Sequence, residues 1–144
     1  MTVITSLAEW IALKQVYLPS IESLPIVKMG DDGDLSPPFL GIMEESSSDH
    51  ETNGVILRGV TDYQITCELH TVPADEDNDG TSPEDERQMR RDLYDIIGDA
   101  GAITWMDGRN DSRIFDIQTA APTTEASDGR RVSRWNLQIV ACPS

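Results

Sequence analysis

Acidic residues in the segment 75–86 have the spacing of a calcium-binding loop. Asp75, Asp77 and Asp79 alternate with other residues, Gly80 follows directly, and Glu86 comes after five further residues. In an EF-hand loop such carboxylates ligate Ca²⁺, the glycine permits the sharp turn, and the last acid binds through both oxygens. The spacing makes Ca²⁺ the candidate ligand of this segment, and no other cofactor is expected.

The residues around this loop favour a second interpretation. A strand predicted to end at Val72 and Pro73 precedes the loop, where an EF-hand has a helix. Ser82 and Pro83 are typical of an N-cap and a first helical position, so they predict that a helix begins there. The alternative to calcium binding is therefore a solvated acidic loop that precedes a helix.

Residues suited to nucleophilic or hydrolytic catalysis are few. His50 lies in a serine-rich acidic stretch, and His70 falls on the predicted solvent face of a strand. Cys67 and His70 are three residues apart, a spacing that puts them on opposite faces of a strand. The sequence contains no zinc-type histidine spacing, nucleophile elbow, phosphate-binding loop or dinucleotide fingerprint. We expect no catalytic residues, and an enzyme that combines acidic residues with a metal is kept as an alternative.

The N-terminal segment predicts a helix with more than one apolar face. Ser6 and Glu9 have the spacing of a capping box, and Pro19 is expected to end the helix near Tyr17 or Leu18. One face carries Leu7, Trp10, Ile11, Tyr17 and Leu18. Leu13 and Val16 lie off this face, so a second apolar surface is expected to meet either a sheet edge or another subunit.

A second helix is predicted from Pro83 to Ile97, with Met89, Leu93, Ile96 and Ile97 on its apolar face and glycines at its end. Strands are predicted at Ile26–Met29, Phe39–Met43, Val55–Val72, Ile103–Met106, Arg113–Thr119 and Arg130–Cys142. The part 54–59 is either a separate strand or the start of the long strand before a glycine bulge. Loops are predicted at Glu44–Asn53, Pro73–Thr81 and Ala120–Gly129.

This order of elements predicts one α+β domain over residues 1–144. Its sheet should be mixed and mostly antiparallel, with the two main helices packed on one face. Trp10, Trp105 and Trp135 each fall in an apolar periodic segment, where core placement is expected, although Trp105 could also line an interface edge. Cys67 and Cys142 are expected to be free buried thiols, since two cysteines do not make a disulfide framework.

Composition narrows the classes of partner. The chain has a formal net charge of −15 in 144 residues and a sequence pI near 4.2. Nucleic acids and anionic membranes need a basic footprint, so neither is expected as a specific ligand. The N-terminus has no basic region, cleavage site or long apolar run, so neither a signal peptide nor a membrane span is expected, and we predict use without export.

The order of elements resembles the tail terminator, or tail-completion, proteins of long-tailed bacteriophages. The resemblance rests on the amphipathic N-terminal helix, the proline-rich crossover into Pro38–Met43 and the strand Val60–Val72. It continues with the helix Pro83–Ile97, the short segment 101–105 and the last strand Arg131–Val140. The acidic stretches 44–53 and 75–79 are not features of that family in particular.

The resemblance implies a structural virion protein at the junction of tail and neck, made in the host cytoplasm. It would form a ring, expected to be hexameric, that caps the tail tube and meets the head-side connector. Such rings close through heterologous interfaces. The candidate interface residues are Trp10, Leu13, Val16, Tyr17, Trp105, Arg109, Arg131 and Arg134. DNA would pass through the lumen without specific binding, repelled by the acidic loops.

Two alternatives to a terminator ring stay open. The chain could be another small neck or tail-tube component, which the pattern of elements does not distinguish from a terminator. It could also be an acidic regulatory module that mimics DNA. A mimic would spread its acids over one continuous face, whereas here arginines accompany the second helix and the last strand.

Overall fold

The computed structural model of the chain describes residues 2–28, 35–75, 79–107, 112–127 and 129–143. Along these residues the elements follow one another as α1 (Val3–Gln15), β1 (Ile26–Lys28), β2 (Phe39–Thr52), β3 (Val55–Thr71), α2 (Pro83–Ile97), α3 (Gly101–Met106), β4 (Ser112–Thr119), β5 (Thr123–Ser127) and β6 (Arg130–Pro143).

The six described strands form one mixed sheet in the order β1-β2-β3-β6-β4, and β5 pairs with the first part of β6. Only β1 and β2 run parallel, while the remaining pairs are antiparallel. The predicted α+β class with a mostly antiparallel sheet is confirmed. All three helices contribute to one apolar cluster with the sheet.

The core lies between the helices and one face of β2, β3 and β6. The predicted alternation is confirmed on the core side, because every second side chain of residues 63–69 in β3 and 135–141 in β6 belongs to the cluster. The predicted solvent face of β3 is wrong at Thr66 and Glu68, which are both buried. The buried residues that these three strands contribute to the cluster are Leu40, Ile42, Ile65, Cys67, Leu69, Trp135, Leu137, Ile139 and Ala141. The predicted apolar face of α2 is confirmed as well, and Ser82 caps this helix by accepting a hydrogen bond from the Asp85 amide.

Helix α1 begins earlier and ends earlier than predicted. Thr2 is its N-cap and accepts a bond from the Thr5 amide. The predicted capping box at Ser6 is wrong, because Ser6 is buried inside the helix and donates to the carbonyl of Val3 at 2.9 Å. The helix ends at Gln15, whose side-chain amide donates to the carbonyls of Ile21 and Leu24 and so fixes the following turns.

The predicted loop Glu44–Asn53 is wrong, because this segment continues β2 and forms a long hairpin with β3. The strands remain paired up to Thr52 and Val55. Asn53 and Gly54 connect them, with φ angles of 53° and 78°. Positive φ at both central residues is the geometry of a type I′ turn, for which Asn-Gly is the favoured pair.

A glycine bulge interrupts the hairpin near its middle. Asp49 pairs with Thr61, whereas the next residue, His50, pairs with Leu57, so residues 58–60 of β3 lie opposite the junction. Gly59 has a φ of 81° there, which glycine adopts without strain. The interpretation of 54–59 as part of the same strand before a bulge is therefore confirmed.

Two further segments differ from prediction. Residues 103–106 were expected as a strand but belong to α3, whose buried residues Ala102 and Met106 have helical spacing. Within Ala120–Gly129, expected as a loop, β5 pairs with β6 in a short hairpin. Strand β5 is almost entirely polar and exposed, so it lacks the apolar alternation by which a strand is recognised.

Candidate interaction surfaces

The part of the β2–β3 hairpin at residues 44–60, here called the hairpin arm, extends beyond the strands that flank it. Pairing of β1 with β2 ends at Ile42, and pairing of β6 with β3 begins at Thr61. Between His50 and Leu57 the two strands pair only with each other among the described residues. The edges of this two-stranded ribbon are not paired with any other described strand, which makes the arm a candidate for contact with a partner.

The tip of the arm is apolar. Val55, Ile56 and Leu57, here called the apolar tip, are 58%, 60% and 41% exposed. Successive side chains of a strand point to opposite faces, so Val55 and Leu57 share one face and Ile56 points to the other. A two-stranded ribbon has no second layer to cover either face. Contiguous exposed apolar residues of this kind mark sites of protein contact.

A hydrogen-bonded chain of three side chains joins the two strands of the arm. His50 Nδ1 lies 2.8 Å from Asp62 Oδ1, and Thr52 Oγ1 lies 2.8 Å from His50 Nε2. The order hydroxyl, imidazole and carboxylate is that of a nucleophilic triad. Catalysis would also need donors for an oxyanion and a bound substrate. We assign the three residues a structural role, since they join the strands across the register shift.

Sequence reasoning missed this chain of side chains because His50 and Thr52 fell in a predicted loop and Asp62 in a strand. The signal that could have found it is the Asn53-Gly54 pair, which predicts a hairpin. With that hairpin in place, His50 and Thr52 share a face of β2, and β3 turns back alongside them. His50 and Thr52 are at positions i and i+2, and in a strand this spacing places two side chains next to each other on one face.

A second exposed apolar surface lies at the end of α1. Leu13, Val16 and Tyr17, here called the α1 patch, are 41%, 59% and 78% exposed. The prediction that Leu13 and Val16 lie off the core-facing side is confirmed. The placement of Tyr17 on the core-facing side is wrong. The helix ends at Gln15, and the tighter bond from the Tyr17 amide to the Lys14 carbonyl breaks the helical period there.

The two tryptophans predicted at an interface lie against each other. Trp10 is buried, and its ring centroid is 6.2 Å from that of Trp105. The indole Nε1 of Trp10 donates to the carbonyl of Ile96 at 2.9 Å. Trp105 is half-buried and packs against the core. Trp10 therefore belongs to the core, which agrees with its location on the apolar face of α1. It does not form part of an exposed surface that a partner could contact.

Arg131 lies beside a buried carboxylate of the same chain. Glu86, only 5% exposed in its side chain, accepts from Arg131 Nε and from Arg90 Nη1, each at 2.9 Å. This arrangement joins α2 to β6. Arg131, predicted as an interface residue, thus has an intrachain partner, and Glu86 has both of its oxygens close to guanidinium nitrogens.

Arg134 is likewise paired within the chain. Its Nε donates to Glu68 at 2.7 Å and its Nη1 to Glu125 at 3.0 Å, so it joins β3, β6 and β5 across the sheet. The hydrogen bond to Glu68 is the main cause that raises the pKa of Arg134, and Glu125 adds to it. Arg109, the remaining predicted interface residue, lies outside the described residues.

The predicted calcium ligands are not brought together by the described residues. Glu86 is bound to arginines, Asp79 lies in the loop before α2, and Asp77 falls outside the described residues. Within the described ranges there is no group of three or more His, Cys, Asp or Glu side chains placed to hold a metal ion. Calcium binding through Glu86 would require this carboxylate to leave both arginines.

Cys67 and His70 lie on opposite sides of the sheet, as predicted. Cys67 is in the core, and burial raises its pKa to about 12. His70 stacks on Phe39, with ring centroids 4.6 Å apart, outside that core cluster. Both cysteines are free, and Cys142 is half-buried instead of buried. A buried neutral thiol with no base beside it is a packing residue and not a nucleophile.

The chain was also compared with known proteins. No protein-family model matches it, and no curated protein sequence matches it significantly. Among the described residues, no helix has both the length and the apolar character needed to cross a membrane.

Proposed function

We propose that this chain is a structural subunit of a bacteriophage tail, which forms a hexameric ring at the junction of tail and neck. The ring would cap the tail tube and meet the head-side connector, as the resemblance to tail terminator proteins implies. The observation that carries the proposal is the hairpin arm, a two-stranded extension with an exposed apolar tip. Such an arm is suited to contact with another subunit.

The distribution of exposed apolar residues favours a ring over a two-fold dimer. A closed ring needs two different surfaces on each subunit, because each copy contacts the next in a head-to-tail manner. The arm tip and the α1 patch differ in shape, one being a protruding ribbon and the other the end of a helix that is packed on the core. A two-fold dimer would instead need one self-complementary surface.

The acidity of the chain supports a place around passing DNA. The arm carries four carboxylates against one guanidinium, at Glu44, Glu45, Asp49, Glu51 and Arg58. These residues are exposed. Negative charge around a lumen repels phosphates and would let DNA move without adhering. DNA is then a passing molecule, while the ligands are other copies of the chain, the tube protein and the connector.

The oligomeric state tests the proposal. Light scattering and negative-stain microscopy of the purified chain are expected to reveal hexameric annuli. The triple variant Val55→Thr, Ile56→Thr and Leu57→Thr keeps β-propensity but removes the apolar tip, and it is expected to be a monomer with an unchanged circular dichroism spectrum.

Phe115→Thr is the matched control, because Phe115 is 56% exposed but lies on β4, which is separated from β3 by β6. This variant is expected to assemble like the unmodified chain. A strict monomer at high concentration, or annuli that persist in the triple variant, would contradict the proposal.

A further inference from the structure

The apolar tip of the hairpin arm fits one surface of the same chain better than any other described surface. We infer that the apolar tip of one copy seats on the α1 patch of the neighbouring copy. The inference rests on the proposed ring, and it identifies the two halves of the contact between subunits. It makes Leu13, Val16 and Tyr17 the receiving surface and Val55, Ile56 and Leu57 the inserted one.

The first argument is the location of exposed apolar side chains. Among the described residues, the large ones fall into two clusters and one isolated residue: the α1 patch, the apolar tip and Phe115. Burial of an apolar tip is favourable only against another apolar surface. The α1 patch is the one other cluster of this kind, and Phe115 by itself offers a single side chain.

The second argument is that both surfaces are held in place before they meet. The α1 patch lies at the end of α1, which is held to α2 by the bond from Trp10 to Ile96. The side-chain amide of Gln15 fixes the turn that follows α1. The tip is fixed by the Asn53-Gly54 turn and by the bonds that join His50 to Thr52 and Asp62. Preorganised surfaces lose less conformational freedom on binding, so their contact is stronger for a given area.

The third argument is charge. The arm has a net charge of −3, since four carboxylates face one guanidinium. Residues 2–28 carry Lys14, Lys28, Glu9 and Glu22 and no other charged side chain, so this region is neutral in a chain of net charge −15. Both lysines of the chain lie in this region. An acidic arm therefore meets no net negative charge in the region of the α1 patch, where the Nζ of Lys14 lies over the Trp10 ring, 4.8 Å from its centroid.

Cysteine cross-linking tests the contact directly. In a Cys142→Ser background, Ile56→Cys and Val16→Cys are introduced singly and together, and the assembled protein is treated with a short bismaleimide. The buried Cys67 is expected to stay unmodified. The double variant is expected to give a ladder of covalent oligomers up to the full ring, because each copy offers one half of the contact to each neighbour. Each single variant is expected to stay monomeric under denaturing electrophoresis.

Three results would overturn the inference. A covalent dimer from Ile56→Cys alone would indicate that two tips meet around a two-fold axis. A dimer from Val16→Cys alone would indicate the same of the α1 patch. A ladder from the pair Ile56→Cys and Phe115→Cys, in the absence of one with Val16→Cys, would place the tip on β4 instead.

Charge exchange gives a second readout. Lys14→Glu is expected to raise the concentration needed for half-assembly by roughly three- to tenfold, while Lys14→Arg leaves it unchanged. Restoration of assembly by Glu51→Lys in the Lys14→Glu chain would support the contact, and an unaltered midpoint in Lys14→Glu would contradict it.

Annuli without the Val16 cross-link would refute this inference alone, whereas failure of the unmodified chain to form annuli would refute the proposed function.

Discussion

The indole Nε1 of Trp10 donates a hydrogen bond to the main-chain carbonyl of Ile96, 2.9 Å away, at the end of α2. The bond joins α1 to α2 through two residues that are 86 positions apart in the chain. Trp10 is 4% exposed, whereas Tyr17, two turns later in the same segment, is 78% exposed. Two aromatic residues of one predicted helix therefore serve different purposes, one in the core and one at the surface.

Replacement of Trp10 should therefore affect stability and replacement of Tyr17 should not. Trp10→Phe removes the donor and part of the buried ring, so we expect a loss of about 1–3 kcal/mol in the free energy of unfolding. Tyr17→Ala, at an exposed position, should change it by less than about 0.5 kcal/mol. Urea denaturation followed by circular dichroism measures both, and equal losses in the two variants would contradict the assignment.

Replacement of the two arginines beside Glu86 should lower the free energy of unfolding in a non-additive way. Either Arg90 or Arg131 alone still neutralises Glu86, so Arg90→Met and Arg131→Met are each expected to cost less than about 1 kcal/mol. The double variant leaves a buried charge without a partner, which costs about 3–5 kcal/mol.

Addition of Glu86→Gln to that double variant removes the buried charge and is expected to restore part of the lost stability. Urea unfolding of the four chains is the measurement. Additive single losses, or a further loss on addition of Glu86→Gln, would indicate that Glu86 is not the charge that the arginines stabilise.

Alkaline pH should destabilise the protein through Cys67. Burial raises the pKa of this thiol from 9.0 to about 12, so the folded state holds the proton more tightly than the unfolded state. The stability that results is fully present below pH 9 and is lost as the pH rises from 9 towards 12. Over that range the loss is expected to approach about 4 kcal/mol.

Cys67→Ala is the control for the alkaline effect, because it removes the thiol and leaves the other side chains unchanged. Its stability should be lower at neutral pH, owing to the cavity, but should fall less steeply between pH 9 and 12. If the free energies of unfolding of the unmodified chain and of Cys67→Ala fell in parallel between pH 9 and 12, Cys67 would not be the cause of the alkaline loss. In the folded chain at pH 8, a thiol reagent should label Cys142 well before Cys67.

The turn of the hairpin arm should depend on Gly54. A Cβ at this residue would meet no atom within 4 Å, but the φ of 78° is unfavourable for alanine. Gly54→Ala is therefore expected to destabilise the arm by about 1–2 kcal/mol. Amide hydrogen exchange at residues 50–57 should become about 5- to 30-fold faster.

The core and the melting temperature should be unaffected by Gly54→Ala, since the arm lies outside the apolar cluster. Asn53→Gly is the matched control, because glycine tolerates the φ of 53° at that residue. Unchanged exchange in Gly54→Ala, or a global loss of stability, would contradict the view of the arm as a separately ordered extension.

Strands with one buried face could be predicted from the sequence, because burial produces a visible alternation. In β6, Trp135, Leu137 and Ile139 alternate with polar residues, and all three are buried. The arm lacks this signal, since neither of its faces is covered by other residues that the structure describes. Its first strand is polar on both faces, so composition alone made it look like a loop, and the Asn53-Gly54 pair was the remaining evidence for pairing.

Short apolar runs were ambiguous for a different reason. Ile103, Thr104 and Trp105 have high strand propensity, and a run of this length fits either period. The segment is helical because Ala102 and Met106 are buried together and Asp99 accepts a hydrogen bond from the Gly101 amide at its start. Likewise, the partners of Arg131 and Arg134 are Glu86 and Glu68, residues 45 and 66 positions away, which no local pattern reveals.

Calcium should have no effect on the melting temperature of the folded chain. Glu86 would have to exchange two arginine partners for the cation, and its buried location offers few other ligands among the described residues. A site with a dissociation constant of about 10 μM would stabilise the protein by about 2.7 kcal/mol at 1 mM free Ca²⁺, which is a large shift for a domain of this size. The comparison is a thermal melt in 1 mM CaCl₂ and in chelator. A rise of several degrees with calcium, abolished by Asp75→Asn, would restore the acidic loop as a metal site.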